Sequence, residues 1–373
     1  ESMPVMTDEL KKEIELHEAF LDHCHGTISN NYYLSDLDQW AYPSIELSMD
    51  DVLAIWRGSS GETDLYTHIP FCRMKCHFCC LSSRPSGSSS EIDLYVKDLV
   101  RYYRFFAPAF EGRSFTNLYI GGGTPSILSV PQMETLLSEL FTSFRFDDDG
   151  QKVMEFNPAT SSRAKLALLK EHGFNKVSFG VQSFNAKTLE ANNRGYQTEG
   201  MVSKAVSDAK GLGFEIVNVD LLVGLHGDTS EDVLESMART VALGPDSIHL
   251  YSLQPTEFYL SKVCKMDRDG FFGHKRAIMS SIADELCSMA DAKGYDAPDF
   301  SKLNLELSDP NAYVFAKKGI KRKKYYSFGD RDDRNHVFGL GHKSVSHING
   351  RIRYQMDRRL VPVPPKYLFS GPP

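Results

Sequence analysis

The sequence predicts an α/β fold, a partial (β/α)6 TIM-type barrel with an N-terminal extension and a smaller C-terminal region. Short runs rich in β-branched and aromatic residues alternate with amphipathic stretches, which is typical of βα units around a parallel sheet. Motifs rich in glycine or polar residues follow several of these runs, at the strand ends where such barrels carry their chemistry. The length of 373 residues also suffices for one large domain with appendages, or for two domains.

Three segments are predicted along the chain: an extension over residues 1–62, the barrel over 63–260, and a C-terminal region over 261–373. The last segment is expected to cover the barrel and to be a shortened form of a complete domain. The extension opens with a helical stripe of five apolar residues, Leu10, Ile14, Leu16, Phe20 and Leu21. Behind the stripe lies a group of potential ligands, His17, His23, Cys24 and His25. Their spacing matches no standard metal site and favours a solvated helix end. An aromatic segment over 31–43 follows and is expected to cover a pocket mouth or to pack on the core.

Six strands and five helices are predicted within the barrel segment. The strands are placed at 65–69, 117–121, 152–156, 176–181, 215–222 and 247–253. The helices are placed near 91–106, 130–143, 161–172, 198–212 and 229–243. A Ser/Gly/Pro-rich break over 82–90 indicates a surface loop between the first strand and the first helix.

Composition excludes several classes of protein. A net charge of −7 gives no general affinity for nucleic acid. No apolar run approaches the roughly 20 residues that cross a bilayer, so no membrane partner is expected. Seven cysteines in 373 residues do not form a disulfide framework, and the reducing cytoplasm is the expected compartment.

The strongest single motif is CxxxCxxC, formed by Cys72, Cys76 and Cys79. Three thiolates on one short loop can hold three irons of a cubane [4Fe–4S] cluster and leave the fourth iron open to a small molecule, whereas ferredoxin-type sites close the cluster with four cysteines. A disulfide would leave one cysteine of the motif over. A structural zinc site usually takes two CxxC pairs far apart in the chain, and no second pair is present.

The second to fifth strands of the predicted barrel each carry residues suited to a polar ligand. The second ends in Gly121, Gly122 and Gly123 followed by Thr124, where backbone can approach closely and its carbonyl oxygens can accept hydrogen bonds from an ammonium group. The third carries Glu155, whose carboxylate at the barrel mouth can bind an ammonium or a hydroxyl group; a helix cap or a salt bridge is the alternative.

The fourth and fifth strands supply an amide, a guanidinium and a carboxylate. Gln182 is suited to ribose hydroxyls, and Arg194, in the turn that follows, can clamp a carboxylate in bidentate fashion. Asp220 lies within an apolar strand and needs a buried partner such as a ribose diol. Phe78, beside the cysteines, offers an apolar surface for an adenine ring. Together these groups complement a sulfonium amino acid that carries a nucleoside.

The pattern closely resembles the radical S-adenosylmethionine (SAM) superfamily and, within it, the oxygen-independent coproporphyrinogen III oxidase-like branch. The similarity spans about residues 63 to 260, with a weaker echo at 339–344. It is carried by the runs Tyr66 to Cys72, Gly121 to Pro125, Glu155 to Pro158, Gly180 to Phe184, Arg194 and Asp220 to Leu225.

The resemblance implies a role for each motif. Cys72, Cys76 and Cys79 would bind the [4Fe–4S] cluster, and its open iron would chelate the amine and carboxylate of SAM. The remaining contacts to SAM would come from Tyr66, Phe78, Gly121, Gly122, Gly123, Thr124, Glu155, Gln182, Arg194 and Asp220. One-electron reduction by a donor such as flavodoxin or ferredoxin would then cleave the sulfonium, and the resulting 5′-deoxyadenosyl radical would abstract a hydrogen atom from a substrate carbon.

The sequence departs from the decarboxylase pattern beside the motif. That enzyme carries a further cysteine two positions past the last motif cysteine; here Cys80 follows immediately and Leu81 occupies the later position. Cys80 is expected to be a spare thiol. The chain also stops about 30 residues after the glycine turn at 338–342. Decarboxylation therefore does not rank first.

Three functions remain open. The reading ranked first is methyl or methylene transfer to a natural-product scaffold, with a second SAM molecule as the carbon donor. Tetrapyrrole chemistry follows, either oxidative decarboxylation of coproporphyrinogen III or methyl transfer to heme. The third is a heme-trafficking protein that acts by binding, although about 70 residues precede Cys72 where such proteins usually have short leaders. A basic patch over 317–324 is predicted to be a solvated face, or else a contact for substrate carboxylates or an acidic electron donor.

Overall fold

The computed structural model describes residues 44–46, 49–81, 83–298, 312–320, 336–348, 352–355 and 366–368. Several sequence-based expectations lie outside these residues: the leader helix, the group of His17, His23, Cys24 and His25, the aromatic segment 31–43, and the part of the basic patch at 321–324. None of the described helices is both long enough and apolar enough to cross a membrane.

The chain divides into two compact units, each built from separate stretches of sequence. The first unit comprises Glu1–Phe71, Ser86–Lys152 and Lys323–Pro373. The second comprises Cys72–Pro85 and Val153–Arg322. The cysteine motif therefore belongs to the second unit, although it directly follows the first predicted strand.

Within the described residues, the first unit combines parallel and antiparallel strands with three α-helices. Its strands are β1 (Ser44–Glu46), β2 (Thr63–Ile69), β5 (Ser114–Phe115), β6 (Leu118–Gly122), β7 (Arg145–Phe146), β14 (His336–Leu340), β15 (Val345–Ile348), β16 (Ile352–Gln355) and β17 (Lys366–Leu368), and the helices are α1 (Met49–Gly58), α2 (Ser89–Phe106) and α3 (Val130–Ser143). β14, β2 and β6 are parallel neighbours, and β15, β16, β17 and β1 extend the sheet beyond β14 in antiparallel fashion. The short β5 and β7 pair separately. The strand pair β3 (Phe71–Cys72) and β4 (Arg84–Pro85) flanks the cysteine loop.

An aromatic cluster fills the core of the first unit. The ring of Phe338 on β14 lies 5.0 Å from that of Trp56 on α1, 4.7 Å from that of Phe110 and 5.2 Å from that of Phe106 on α2. Because each of these side chains is at most 5% exposed, burial of their large apolar surfaces is a main stabilising term for this unit. The glycine turn that the sequence indicated at 338–342 is the end of β14, directly beside β2.

The second unit contains the remaining βα repeats. Its strands are β8 (Lys152–Phe156), β9 (Lys176–Gln182), β10 (Ile216–Val223), β11 (Ser247–Ser252), β12 (Tyr295–Asp296) and β13 (Ala312–Lys317), and its helices are α4 (Arg163–Glu171), α5 (Ala186–Ala191), α6 (Glu199–Gly211), α7 (Ser230–Leu243) and α8 (Arg268–Ala292). β8, β9, β10 and β11 are parallel in this order, and β13 and then β12 add antiparallel strands at the β11 edge. Val217, Val219, Leu221 and Val223 on β10 are all buried, as expected of a central parallel strand.

Local signals explain where the helices begin and end. Thr229 caps α7, and Asp232 returns a side-chain bond to its backbone, so two of the free N–H groups at that end are satisfied. α7 stops at Gly244, whose φ of +64° is a left-handed conformation that glycine adopts without strain. Ser162 and Thr198 cap α4 and α6 by accepting from the N–H groups of Lys165 and Met201.

The predicted fold class is confirmed, with parallel strands alternating with helices through the barrel segment. All six predicted strands exist, with ends within two residues of those expected, and all five predicted helices are present. The helices α1, α5 and α8 were not predicted. The predicted division at residues 62 and 260 stays a prediction.

Candidate functional site

The cysteine loop runs from the end of β3 through a tight turn. Cys72 and Cys76 are each 8% exposed, and Cys79 is partly exposed; the backbone N–H of Cys79 donates to the carbonyl oxygen of Cys76 (3.2 Å). Lys75 lies between them, and its ammonium group donates to the carbonyl and hydroxyl oxygens of Ser83 (3.1 and 2.8 Å). The hydrogen bonds of Lys75 thus join the cysteine loop to Ser83, which follows it in the chain.

The three thiols suit a cluster better than a single metal ion. Throughout the described part of the chain, no three His, Cys, Asp or Glu side chains converge as ligands of one ion. Three thiolates on one zinc would lie about 3.8 Å apart, since Zn–S bonds measure about 2.3 Å in a tetrahedron. A cubane needs no such convergence, because each thiolate binds a different iron. The described cysteines are all free thiols, so the donor set fits a [4Fe–4S] cluster.

Cys80 differs from its neighbours in the loop. Burial, and next the charge of Cys79, raise the pKa of the Cys80 thiol to about 11. A thiol with this pKa is protonated at neutral pH in the protein without its cluster. That Cys80 is a spare thiol stays a prediction.

The turn after α5 holds the cysteine loop in place. The N–H of His77 donates to the carbonyl oxygen of Asn192 (3.1 Å), and the side-chain amide of Asn193 donates to the carbonyl oxygen of Lys75 (2.8 Å). Asn193 has a φ of +57°, a left-handed conformation that asparagine tolerates better than most residues. The residues on both sides of Cys76 are therefore fixed by consecutive asparagines.

A buried tyrosine holds this turn in place through hydrogen bonds. Tyr259 opens the π-helical turn Tyr259–Cys264; its hydroxyl donates to Oδ1 of Asn192 (2.5 Å) and accepts from the backbone N–H of His226 (2.7 Å). Nδ2 of Asn192 in turn donates to the carbonyl oxygen of His226 (3.0 Å). Sequence reasoning missed Tyr259, Asn192 and Asn193. The Asn-Asn pair before Arg194 was the one available signal, because asparagine is frequent in left-handed turns.

Arg194 lies directly beside the cysteine loop. It is only 5% exposed, and its Nη1 is 3.5 Å from Sγ of Cys76. Nη2 donates to the carbonyl oxygen of Gly180 on β9, and Nε donates to the side chain of Gln197 (3.2 Å). The residue that the sequence assigned to a carboxylate thus neighbours a cluster cysteine.

Gln182 ends β9 in an unusual conformation, with a φ of +73°. The pairing of β9 with β10 shifts by one residue at this point, so that Asp220 pairs with Gly180 and Leu221 pairs with Gln182. A Cβ atom on Gly180 would lie 2.9 Å from Nε2 of Gln182, so a larger residue there would shift this amide from its position. Gln182 and Arg194 accordingly share Gly180 as a neighbour.

Asp220 belongs to a polar network inside the second unit. Its carboxylate accepts from Oγ of Ser178 (2.8 Å) and Nδ2 of Asn218 (2.7 Å), and Nδ1 of His249 lies 3.7 Å away. Burial raises the pKa of Asp220 to about 6, although these two hydrogen bonds and the charge of Lys176 lower it. The side chain of Asp220 is 16% exposed.

Glu155 and Phe78 are the other predicted site residues in the second unit. Glu155 is half-buried on β8, where it pairs with Ser178 across the sheet. Phe78 is 7% exposed and packs in an apolar cluster with Cys76, Leu225 and Tyr259. Most of the ring is therefore core, and little of it is available to an adenine.

The remaining predicted residues belong to the first unit. The hydroxyl of Tyr66 on β2 is hydrogen-bonded to Nδ1 of His68 (2.9 Å), and Thr124 is buried. Gly122 has a φ of +120°, and a Cβ atom there would lie 2.8 Å from the carbonyl oxygen of Ile69, so only glycine fits. Gly123 donates its N–H to the same oxygen (2.7 Å), which closes the glycine loop against β2.

The described part of the basic patch is paired with acidic groups. Nζ of Lys317 lies 3.2 Å from Asp246, and Nζ of Lys318 lies 2.6 Å from Asp291. These two lysines therefore resemble a solvated, ion-paired surface.

Comparison with known proteins identifies the class. Residues 66–239 match the model of the radical SAM superfamily, a segment that contains the cysteine motif and every predicted cofactor contact. Residues 66–239 therefore form a radical SAM domain. Its cofactors are accordingly a [4Fe–4S] cluster and SAM.

Particular relatives narrow the class further. The chain is 28% identical over 310 residues to oxygen-independent coproporphyrinogen III oxidase from Salmonella typhimurium, covering 82% of this chain and 65% of the relative. It is also 28% identical over 296 residues to the heme chaperone HemW from Escherichia coli, covering 77% of this chain and 71% of the relative. The solved structure of coproporphyrinogen III oxidase (HemN) from Escherichia coli superimposes with a TM-score of 0.69 at 24% identity, covering 89% of this chain and 77% of that one, and shows a shared fold. The chain thus spans just under two thirds of the length of the Salmonella oxidase.

Proposed function

We propose that this protein is a radical SAM enzyme that acts on a tetrapyrrole, by oxidative decarboxylation of the propionate side chains of coproporphyrinogen III. The structural observation behind the chemistry is the position of Arg194, whose guanidinium lies 3.5 Å from Sγ of Cys76. The substrate class is supported by the curated relatives. They favour the tetrapyrrole alternative over transfer of a carbon unit to a natural product, the reading that the sequence alone ranked first, and they give methyl transfer no support.

The second unit offers the contacts that SAM requires. Arg194 would pair with the carboxylate of SAM, Gln182 would bind a ribose hydroxyl, and Asp220 would accept from the ribose diol in its ionised form. Cys72, Cys76 and Cys79 would hold the cluster. When bound, the cluster and SAM supply reductive cleavage of the sulfonium, which yields a radical able to abstract hydrogen.

The contacts around Asp220 suit this assignment. Ser178 and Asn218 each donate a hydrogen bond to its carboxylate. These bonds orient the oxygens and partly offset the free-energy cost of burial. Both partners are themselves fixed, since Nδ2 of Asn218 also donates to Oγ of Ser178 (2.8 Å). The acceptor of the ribose would therefore be oriented before SAM binds.

One anaerobic assay tests the proposal. Reconstituted protein, reduced by flavodoxin, ferredoxin or dithionite, is incubated with SAM and coproporphyrinogen III, and the products are separated by mass. We expect carbon dioxide, 5′-deoxyadenosine and a product that has lost CO2 and two hydrogens from one or two propionate groups. The 5′-deoxyadenosyl radical takes one hydrogen atom from each propionate, and the remaining electron passes to an added one-electron acceptor as CO2 leaves. S-adenosylhomocysteine as a stoichiometric product would indicate carbon transfer and would contradict the proposal.

A second candidate is a heme chaperone. The chain covers more of HemW from Escherichia coli, 71%, than of the Salmonella oxidase, 65%. Cys80 and Leu81 also replace the pattern that the decarboxylase carries after the motif. Tight stoichiometric binding of heme, with no turnover of coproporphyrinogen III in the assay above, would support this candidate.

A further inference from the structure

The guanidinium of Arg194 already has a hydrogen-bond acceptor at every nitrogen. Nε donates to Gln197, Nη2 donates to the carbonyl oxygen of Gly180, and Nη1 lies 3.5 Å from both Sγ of Cys76 and Oη of Tyr196. A guanidinium has five N–H groups, so a carboxylate that binds at Nη1 competes with Cys76 and Tyr196 for the two N–H groups of that nitrogen. The contact of Nη1 with the hydroxyl of Tyr196 is the longest N···O distance of the three nitrogens, whereas its contact with the larger sulfur atom is of ordinary length.

The other two nitrogens hold the guanidinium plane in place. The side-chain amide of Gln197 is fixed by its own bonds to the carbonyl oxygens of Val181 (2.8 Å) and Ser183 (3.3 Å). The backbone N–H of Arg194 donates to the carbonyl oxygen of Leu189 (2.8 Å). Nη1 consequently cannot turn away from Cys76 without breaking buried hydrogen bonds.

Cys76 is held in place through the hydrogen bonds of its two neighbours in the chain. The flanking residues Lys75 and His77 are bound by Asn193 and Asn192, the two residues immediately before Arg194. One short turn therefore sets both the donor and the sulfur, and it fixes the distance between Nη1 and Sγ of Cys76.

We propose that Arg194 tunes the [4Fe–4S] cluster by donating a hydrogen bond from Nη1 to the Cys76 thiolate, and that the carboxylate of SAM competes for this donor. The second half of the proposal rests on the function proposed above. Arg194 would then interact with both the cluster and SAM, a role that goes beyond the carboxylate clamp that the sequence predicted.

The sign of the effect follows from charge. A donor to a cluster sulfur stabilises the more negative, reduced state and raises the reduction potential. When the carboxylate accepts the Nη1 N–H in place of Sγ of Cys76, this contribution is lost and the potential falls. By thermodynamic linkage, reduction of the cluster weakens the bond between Arg194 and the carboxylate by the same factor.

Potentiometric titration of the reconstituted protein without SAM, followed by electron paramagnetic resonance of the reduced cluster, tests the first half. Arg194→Lys retains the positive charge but cannot make the planar set of bonds. We expect the ratio of reduced to oxidised cluster at a fixed potential to fall about tenfold in this variant. For a one-electron couple, this corresponds to a reduction potential lower by about 59 mV. Cys80→Ser, in the same loop, is the matched control and should keep the wild-type potential.

Tyr196→Phe provides a test in the opposite direction. It keeps the ring, over which Arg73 and Arg194 lie at 5.8 and 5.9 Å, and removes the second acceptor of Nη1, a hydroxyl that also accepts from Nδ2 of Asn157. We expect its potential to rise. An unchanged potential in Arg194→Lys at full iron content would overturn the proposal, and if that variant loses iron, an unchanged potential in Tyr196→Phe would do so.

Titration in the presence of S-adenosylhomocysteine, which carries the same amino acid group and resists cleavage, tests the competition. The potential of the wild type should fall further on its addition than that of Arg194→Lys. Equal shifts would exclude the competition. Failure of the proposed function would show separately, as missing 5′-deoxyadenosine or unchanged coproporphyrinogen in the product assay, while the titrations without ligand would still report the bond.

Discussion

Replacing Tyr259 by phenylalanine tests whether the buried hydroxyl holds the cluster loop. The change leaves the ring in its apolar cluster and removes two hydrogen bonds, one to Oδ1 of Asn192 and one from the N–H of His226. Asn192 is fully buried, so its unpaired oxygen costs about 1–3 kcal/mol, whereas water reaches the exposed His226 and the loss there is about 0.5–1.5 kcal/mol. The expected loss of stability is about 2–4 kcal/mol.

Urea unfolding of the cluster-free protein measures this loss directly. Tyr295→Phe is the matched control, because Tyr295 is an equally buried tyrosine of the same unit whose hydroxyl makes a single bond, to the carbonyl oxygen of Pro245 (2.6 Å). Its expected cost is about 1 kcal/mol.

A second measurement separates the two tyrosines by function. Since Asn192 binds the N–H of His77, Tyr259→Phe should release cluster iron to a chelator faster than either the wild type or Tyr295→Phe. The reasoning is refuted if the two variants lose equal stability and release iron at equal rates.

Three further predictions concern other parts of the molecule. The pKa of Asp220 is raised to about 6, so its ionised fraction drops to about one tenth at pH 5; affinity for SAM should weaken as pH falls through 6, and Asp220→Asn should flatten that dependence in calorimetric titrations. Gly122→Ala should cost about 1–3 kcal/mol of unfolding free energy, because of its φ of +120° and the carbonyl oxygen of Ile69 at 2.8 Å; Gly173→Ala, where φ is +78° and no atom lies within 4 Å, should cost less, and equal losses would contradict the steric argument. Burial lowers the pKa of Lys275 to about 7, so the unfolded chain binds more protons between pH 7 and the usual lysine pKa; stability should rise with pH across that range in the wild type, and Lys275→Met should abolish the rise.

Sequence periodicity predicted the barrel repeats well because each depends on local chemistry. β10 is a run of buried valines and leucines, and α7 begins at a capping box and ends at a glycine with positive φ. Such signals act within a few residues and need no knowledge of the rest of the fold. The sequence predicts only a glycine turn at 338–342, with weak similarity to the family. Its place at the end of β14 beside β2 depends on pairing between residues more than 260 positions apart.

The amino-acid sequence by itself determined the donor groups: three thiols at cluster spacing, a glycine loop, and a set of polar residues at strand ends. These follow from the residue types and their order. Only the tertiary structure showed that Arg194 faces Sγ of Cys76 and that Asn192, Asn193 and Tyr259 hold the loop. The physical reason is that a hydrogen bond depends on distances of a few tenths of an ångström between groups far apart in the chain, which the packing of the second unit sets.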